Sequence, residues 1–88
     1  MKVEYHKSFE RDLRRVRDQN LLDRVEAVLV GLEASESLDS ISNVKVMKGH
    51  PDYFRIRISD YRLGFKRIDD GVRIIRFLCR GDIYRKFP

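Results

Sequence analysis

The sequence predicts an α+β protein, an N-terminal helical hairpin packed on a small antiparallel β-sheet. Three observations carry that reading. Apolar residues between positions 7 and 34 recur at spacings of three and four, the period of a helix with one buried face. From Val44 onward the period falls to two, the period of a strand. The two periods occupy separate halves of the chain, which is the pattern of segregated helices and strands. With 88 residues the chain forms one domain, residues 1–88, with a thin core.

Each element has a local reason. Residues 2–6, KVEYH, alternate with Val3 and Tyr5 on one side and read as a short strand, at an edge or in the middle of the sheet. Ser8 offers an N-cap to a helix whose apolar face is Phe9, Leu13 and Val16. Asp18-Gln19-Asn20 interrupts the pattern, and Asn20 offers the cap of a second helix with Asp23 in its first turn. Leu21, Leu22, Val25, Val28, Leu29 and Leu32 form its apolar stripe, which ends near Ala34. Gly31 costs this helix about 1 kcal/mol relative to alanine. A pair of such helices needs a sheet to cover its apolar side.

SESLDSISN, residues 35–43, is the connecting loop. A short strand is expected over 44–47, a turn from Gly49 to Asp52, and strands over 53–58, 61–68 and 72–79. Ser59-Asp60 makes the first tight connection, and Asp69-Asp70-Gly71 supplies a hairpin turn with its favoured glycine. VRIIRFLC, nearly continuously apolar, reads as a central strand, with Cys79 as a core residue. RGDIYRKFP closes the chain.

Charge is unevenly placed. The net charge is +5. Residues 1–43 hold seven Lys and Arg against nine Asp and Glu, whereas residues 44–88 hold twelve against five, a local excess of +7. The second half is therefore the half that attracts a polyanion. A single cysteine rules out an intrachain disulfide, and two histidines with one cysteine do not make a structural zinc site. No metal and no cofactor is expected. No apolar run approaches a membrane span, and MKVEYHKSFERD lacks the apolar core of a signal peptide, so the expected location is the cytoplasm.

The chemistry concentrates in YFRIRISDYR, residues 53–62. Alternation puts Phe54, Ile56 and Ile58 on one face and Arg55 and Arg57 on the other. Arg62 opens the next strand, and Arg80 and Tyr84 follow the last one. A compact sheet can gather all five on one side. Guanidinium groups are planar, bidentate, permanently charged donors suited to phosphate oxygens and to charge developing at phosphorus. The competing reading makes them a solvated sheet face paired with the acidic residues of the first half. Lys48, Arg85 and Lys86 are the further positions expected to contact an RNA backbone. Tyr53, Tyr61 and Phe65 either stack on bases or fill the core.

The ordered set of segments resembles the RelE/ParE superfamily of toxin–antitoxin toxins. VEYHKSFERDLRRV is similar to the family's first strand and helix entry. VKVMKGHPDYFRIRI is similar to its short basic segment, glycine turn and strand. SDYRLGFKRIDDG is similar to its GDYR hairpin, with Ser59 in place of glycine. VRIIRFLCRGDIYRKFP is similar to its closing strand with a following arginine and late tyrosine.

The resemblance implies a type II toxin of the RelE kind. Such a protein is a ribosome-dependent mRNA endonuclease that blocks translation without a metal. The RNA 2′-hydroxyl attacks the adjacent phosphate and leaves a 2′,3′-cyclic phosphate and a 5′-hydroxyl. It implies Arg55, Arg57, Arg62, Arg80 and Tyr84 as the catalytic set, with Tyr84 taking the proton, and a cognate antitoxin as partner. Some relatives carry lysine where this chain has Arg55 and Arg57, and many carry histidine at Cys79. The proton donor is therefore unassigned. A ParE-like inhibitor of DNA gyrase and a non-catalytic RNA- or protein-binding module are the alternatives.

Overall fold

A computed structural model describes residues 1–88. The chain runs β1 (Lys2–Tyr5), α1 (Lys7–Arg14), α2 (Gln19–Ala34), β2 (Val44–Met47), β3 (His50–Ile58), β4 (Tyr61–Ile68), β5 (Gly71–Cys79) and α3 (Arg80–Lys86). A single turn of 3₁₀ helix over Leu38–Ser40 lies in the loop after α2. The five strands form one sheet in the order β1-β5-β4-β3-β2.

The sheet is mixed, which corrects the expectation of an antiparallel one. β2 to β5 form an antiparallel meander, but β1 lies parallel to β5, with Glu4 opposite Arg73. The strand expected over residues 2–6 forms as β1 and precedes both helices, so the helical pair does not begin the chain. After β1, α1 packs along β5, and α2 lies against β1 and β3. Both helices therefore bury their stripes on the sheet. Phe9, Leu21, Val25 and Leu32 meet Phe54, Ile56, Ile58, Leu63, Phe65, Val72, Ile74 and Phe77 in the main core.

The helix caps differ from the expected ones. His6, not Ser8, caps α1, and its Nδ1 accepts from the Ser8 backbone N–H at 3.1 Å. Asp18, not Asn20, caps α2, accepting from the Asn20 and Leu21 N–H groups. Ser8 instead turns inward and donates to the Ile75 carbonyl. Asp12, 3% exposed, accepts from the Phe77 N–H at 3.0 Å and from Arg76 Nε at 2.7 Å. β1 covers only the first part of β5, so α1 supplies side-chain partners to the strand edge beyond it. That satisfies backbone groups that would otherwise form an open edge.

β5 carries a bulge. Gly64 pairs with Arg76 and Phe65 with Ile74, leaving Ile75 as the extra residue. The bulge shifts the alternation, so Val72, Ile74 and Phe77 face the main core while Ile75 and Leu78 face the other side. There they meet Met47, Ile83 and Phe87 in a second, smaller core under α3.

Gly71 stands in β5 rather than serving as a turn glycine. A Cβ there would lie 1.8 Å from the Lys2 carbonyl oxygen, so its bare backbone is what admits β1. In the β3–β4 hairpin, Ser59 holds a positive φ of 56°, at the position where glycine is unstrained.

Candidate active site

The register of the sheet assembles the site. Arg57 lies directly across from Arg62 on β4, and Arg55 directly across from Lys45 on β2. Opposed residues in an antiparallel pair project to the same face. These four therefore share the face away from α1 and α2, opposite the buried Phe54, Ile56 and Ile58.

α3 supplies the remaining wall. Arg80 and Tyr84 are four residues apart and lie on one side of the helix, while Ile83 and Phe87, also four apart, lie on the buried side. Ile83 is 0% exposed and Phe87 4%, contributing roughly 1.5–3 kcal/mol each to docking the helix. The Phe87 ring rests over Gly64, where an added Cβ would come within 2.7 Å of it. The same ring meets Tyr53 edge-on at 5.7 Å between centroids. Backbone also fixes the entry to the helix, because the Arg80 N–H donates to the Asp60 carbonyl at 2.8 Å.

The result is a cleft of about 230 Å³ lined by Asn43, Lys45, Arg55, Arg57, Arg62, Arg80 and Tyr84. All five residues expected to be catalytic line it. Lys45 and Asn43 join them without having been singled out in the sequence. The lining holds no carboxylate, histidine or cysteine, and nowhere in the chain are three His, Cys, Asp or Glu side chains placed to hold a metal ion together.

The cations of the cleft are not neutralised internally. None of the chain's five ion pairs involves Lys45, Arg55, Arg57, Arg62 or Arg80. The acidic first half pairs elsewhere: Glu4 with Arg73, and Asp12 with Arg76. These cations face solvent, but the pairing with acidic residues of the first half that the competing reading expects does not occur. Two of the arginines are oriented by the fold. Arg55 Nη1 donates to the Val46 carbonyl, and its guanidinium lies 5.3 Å from the centre of the Tyr84 ring. Arg62 Nη1 donates to the Ser59 and Tyr61 carbonyls.

Other expected contacts lie outside the cleft. Lys48 is exposed in the β2–β3 turn. Arg85 pairs with Asp82, whose carboxyl is held below its ordinary value of 3.8 by that hydrogen bond and by one from Cys79. Lys86 borders a separate small hollow with Asp12 and Asp82. Cys79 is exposed, not a core residue; it precedes α3 and its Sγ donates to Asp82. Phe65 is fully buried and Tyr61 stacks on Phe77, so both belong to the core.

A mixed five-stranded sheet with α1 and α2 on one face and, beside α3, a carboxylate-free basic cleft on the other defines a small α+β protein. Residues 3–84 match the family described as ParE toxin of type II toxin-antitoxin system, parDE. The chain is 34% identical to Toxin RelE3 of Methanocaldococcus jannaschii over 89 residues, all of both chains. It belongs to the RelE/ParE superfamily of toxins. Its structure is similar to the RelB-RelE antitoxin-toxin complex from Methanococcus jannaschii, with a TM-score of 0.82 at 30% identity, covering 97% of this chain and 99% of that one. The E. coli DinJ-YafQ complex, at 18% identity and a TM-score of 0.64, covers 94% of this chain and 97% of its own. The YoeB dimer from Staphylococcus aureus, at 16% and 0.71, covers 89% and 94%. These last two share the fold.

Proposed function

We propose that this toxin cleaves messenger RNA on the ribosome, in the cytoplasm, and that a cognate antitoxin neutralises it. The observation that supports this most is the convergence of Arg55, Arg57, Arg62, Arg80 and Tyr84 on one carboxylate-free cleft. Such a cleft is suited to a phosphodiester. Arg57 and Arg80 grip the phosphate oxygens and stabilise the charge that grows on them as the RNA 2′-oxygen attacks. Arg62 adds a third guanidinium, held at the hairpin by its own carbonyl contacts. Tyr84 Oη takes the 2′ proton, and Arg55 fixes the ring that carries it. The products are a 2′,3′-cyclic phosphate and a 5′-hydroxyl, and the chemistry uses no metal.

The antitoxin is the partner suggested by the similar RelB-RelE complex. The excess of +7 on residues 44–88 favours an acidic neutralising segment. A second reading rests on the family description itself, which is that of a ParE toxin, and makes the protein an inhibitor of DNA gyrase.

One induction experiment separates these readings. Expression without the neighbouring small reading frame should stop growth, and primer extension should show new 5′ ends inside coding regions. Arrest with intact messages and inhibited gyrase establishes the second reading instead. Unimpaired growth leaves a binding module. Co-expression with the neighbouring reading frame should restore growth and yield a co-purifying complex.

A further inference from the structure

Cleavage by a 2′-hydroxyl requires two proton transfers, one off the entering oxygen and one onto the leaving oxygen. The residues lining the cleft differ in what they can do with a proton. Arg55, Arg57, Arg62 and Arg80 cannot release theirs. The Asn43 amide does not titrate. Only Tyr84 and Lys45 remain.

We propose that Lys45 is the proton donor to the leaving 5′-oxygen, an assignment that rests on the RNA-cleaving reading of the cleft. Its position supports the role. Lys45 pairs directly with Arg55 across β2 and β3, so it reaches the same face from the sheet's outer strand. Tyr84 reaches that face from α3, with the Arg55 guanidinium over its ring. The two exchangeable groups thus enter the cleft from different walls, on either side of the arginine they share. An in-line displacement needs that arrangement, because the entering and leaving oxygens lie on opposite sides of phosphorus. Lys45 is exposed and takes part in none of the chain's ion pairs, so no carboxylate holds its ammonium away from a substrate.

The step balances with these two groups. The 2′-oxygen forms a bond to phosphorus while its proton passes to the phenolate oxygen of Tyr84. The bond from phosphorus to the 5′-oxygen breaks, its electron pair stays on that oxygen, and the oxygen takes a proton from Lys45 Nζ. Exchange with solvent returns both side chains to their starting forms.

The test compares wild type, Lys45→Arg, Lys45→Ala and Tyr84→Phe in single-turnover cleavage on programmed ribosomes. One message carries an ordinary phosphodiester. The other carries sulfur in place of the bridging 5′-oxygen, a leaving group that departs as thiolate without a proton. Both Lys45 variants should lose about 10²–10⁴ in rate on the ordinary message. On the sulfur message both should come within about tenfold of wild type, while Tyr84→Phe stays slow on both. Lys45→Arg keeps the charge, so full activity for it on the ordinary message overturns the proposal. Equal losses for the Lys45 variants on both messages also overturn it and make Lys45 a phosphate contact. If wild type cuts neither message, the RNA-cleaving reading fails and the proposal fails with it, a result distinct from the other two.

Discussion

The guanidinium of Arg55 lies 5.3 Å from the centre of the Tyr84 ring, joining β3 to the C-terminal helix across the cleft. A cation over an aromatic face contributes about 0.5–1 kcal/mol at an exposed site, enough to favour one ring position. The hydroxyl and the ring are therefore separable. Tyr84→Phe should keep ribosome binding and lose about 10²–10⁴ in single-turnover cleavage. Tyr84→Ala should lose binding as well. A near-wild-type rate for Tyr84→Phe removes the hydroxyl from the chemistry.

Arg57 and Arg80 line the cleft without an ion-pair partner, so their loss should be read in rate and not in folding. Arg57→Ala and Arg80→Ala should each reduce cleavage by about 10²–10³ with unchanged melting temperatures. Arg14→Ala, on the exposed side of α1, is the control and should leave toxicity intact. Full toxicity of Arg80→Ala would take that residue out of the site.

Gly64 tests the seat of α3. A methyl group there meets the Phe87 ring at 2.7 Å, so Gly64→Ala should displace the ring at a cost of about 1–3 kcal/mol. Amide exchange should speed up across Arg80–Lys86 while the strands under the main core stay protected. Activity should fall although no cleft side chain has changed. Undisturbed exchange in α3 would mean that the ring is not what holds it.

Ser59 offers a change in the opposite direction. Its φ of 56° suits glycine, and relieving it should raise stability by up to about 1 kcal/mol, a shift of roughly 4–8 °C in melting temperature. Ser59→Gly should leave cleavage unaltered. A lowered melting temperature would show that chain entropy outweighs the strain.

The β1–β5 junction predicts an acid limb. Hydrogen bonding from Arg73, and then from Lys2, holds the Glu4 carboxyl below its ordinary value of 4.5. A carboxyl lowered on folding stabilises above its unfolded value and loses that contribution as pH falls through its folded value. Melting temperature should therefore drop below about pH 4.5, and Glu4→Gln should shallow that drop. Identical acid profiles for the two proteins would assign the limb to other carboxyls.

Much of this arrangement is legible in the sequence because it is local. Arg55 and Arg57 are two residues apart on a strand whose alternate residues are apolar, and a two-residue turn brings Arg62 opposite Arg57. What escaped is set by distant parts of the chain. Lys45 joins the cleft only because β2 pairs in one register, with an irregularity after Val46. α3 is a single short helix anchored by Ile83 and Phe87, and so few apolar residues beside Gly81 read as a tail. Cys79 continues an apolar run in sequence, but the chain leaves the sheet there and exposes it. The parallel pairing of β1 depends on Lys2 meeting Gly71 across the fold, and no local pattern encodes it. Lys48, Arg85 and Lys86 are cationic, but charge does not say which way a side chain faces.

The two faces of the sheet give the chain two unequal routes to inactivation. Replacements under α1 and α2 strike Phe65, Leu63 or Ile74, all 0% exposed, and should yield unfolded chains that proteases clear. Replacements at Arg57, Arg80 or Tyr84 should leave a stable fold that still displays much of its surface. Survivors selected for resistance to this toxin will therefore divide into cells that have lost the protein and cells that retain a harmless copy. The second group should still titrate whatever binds away from the cleft.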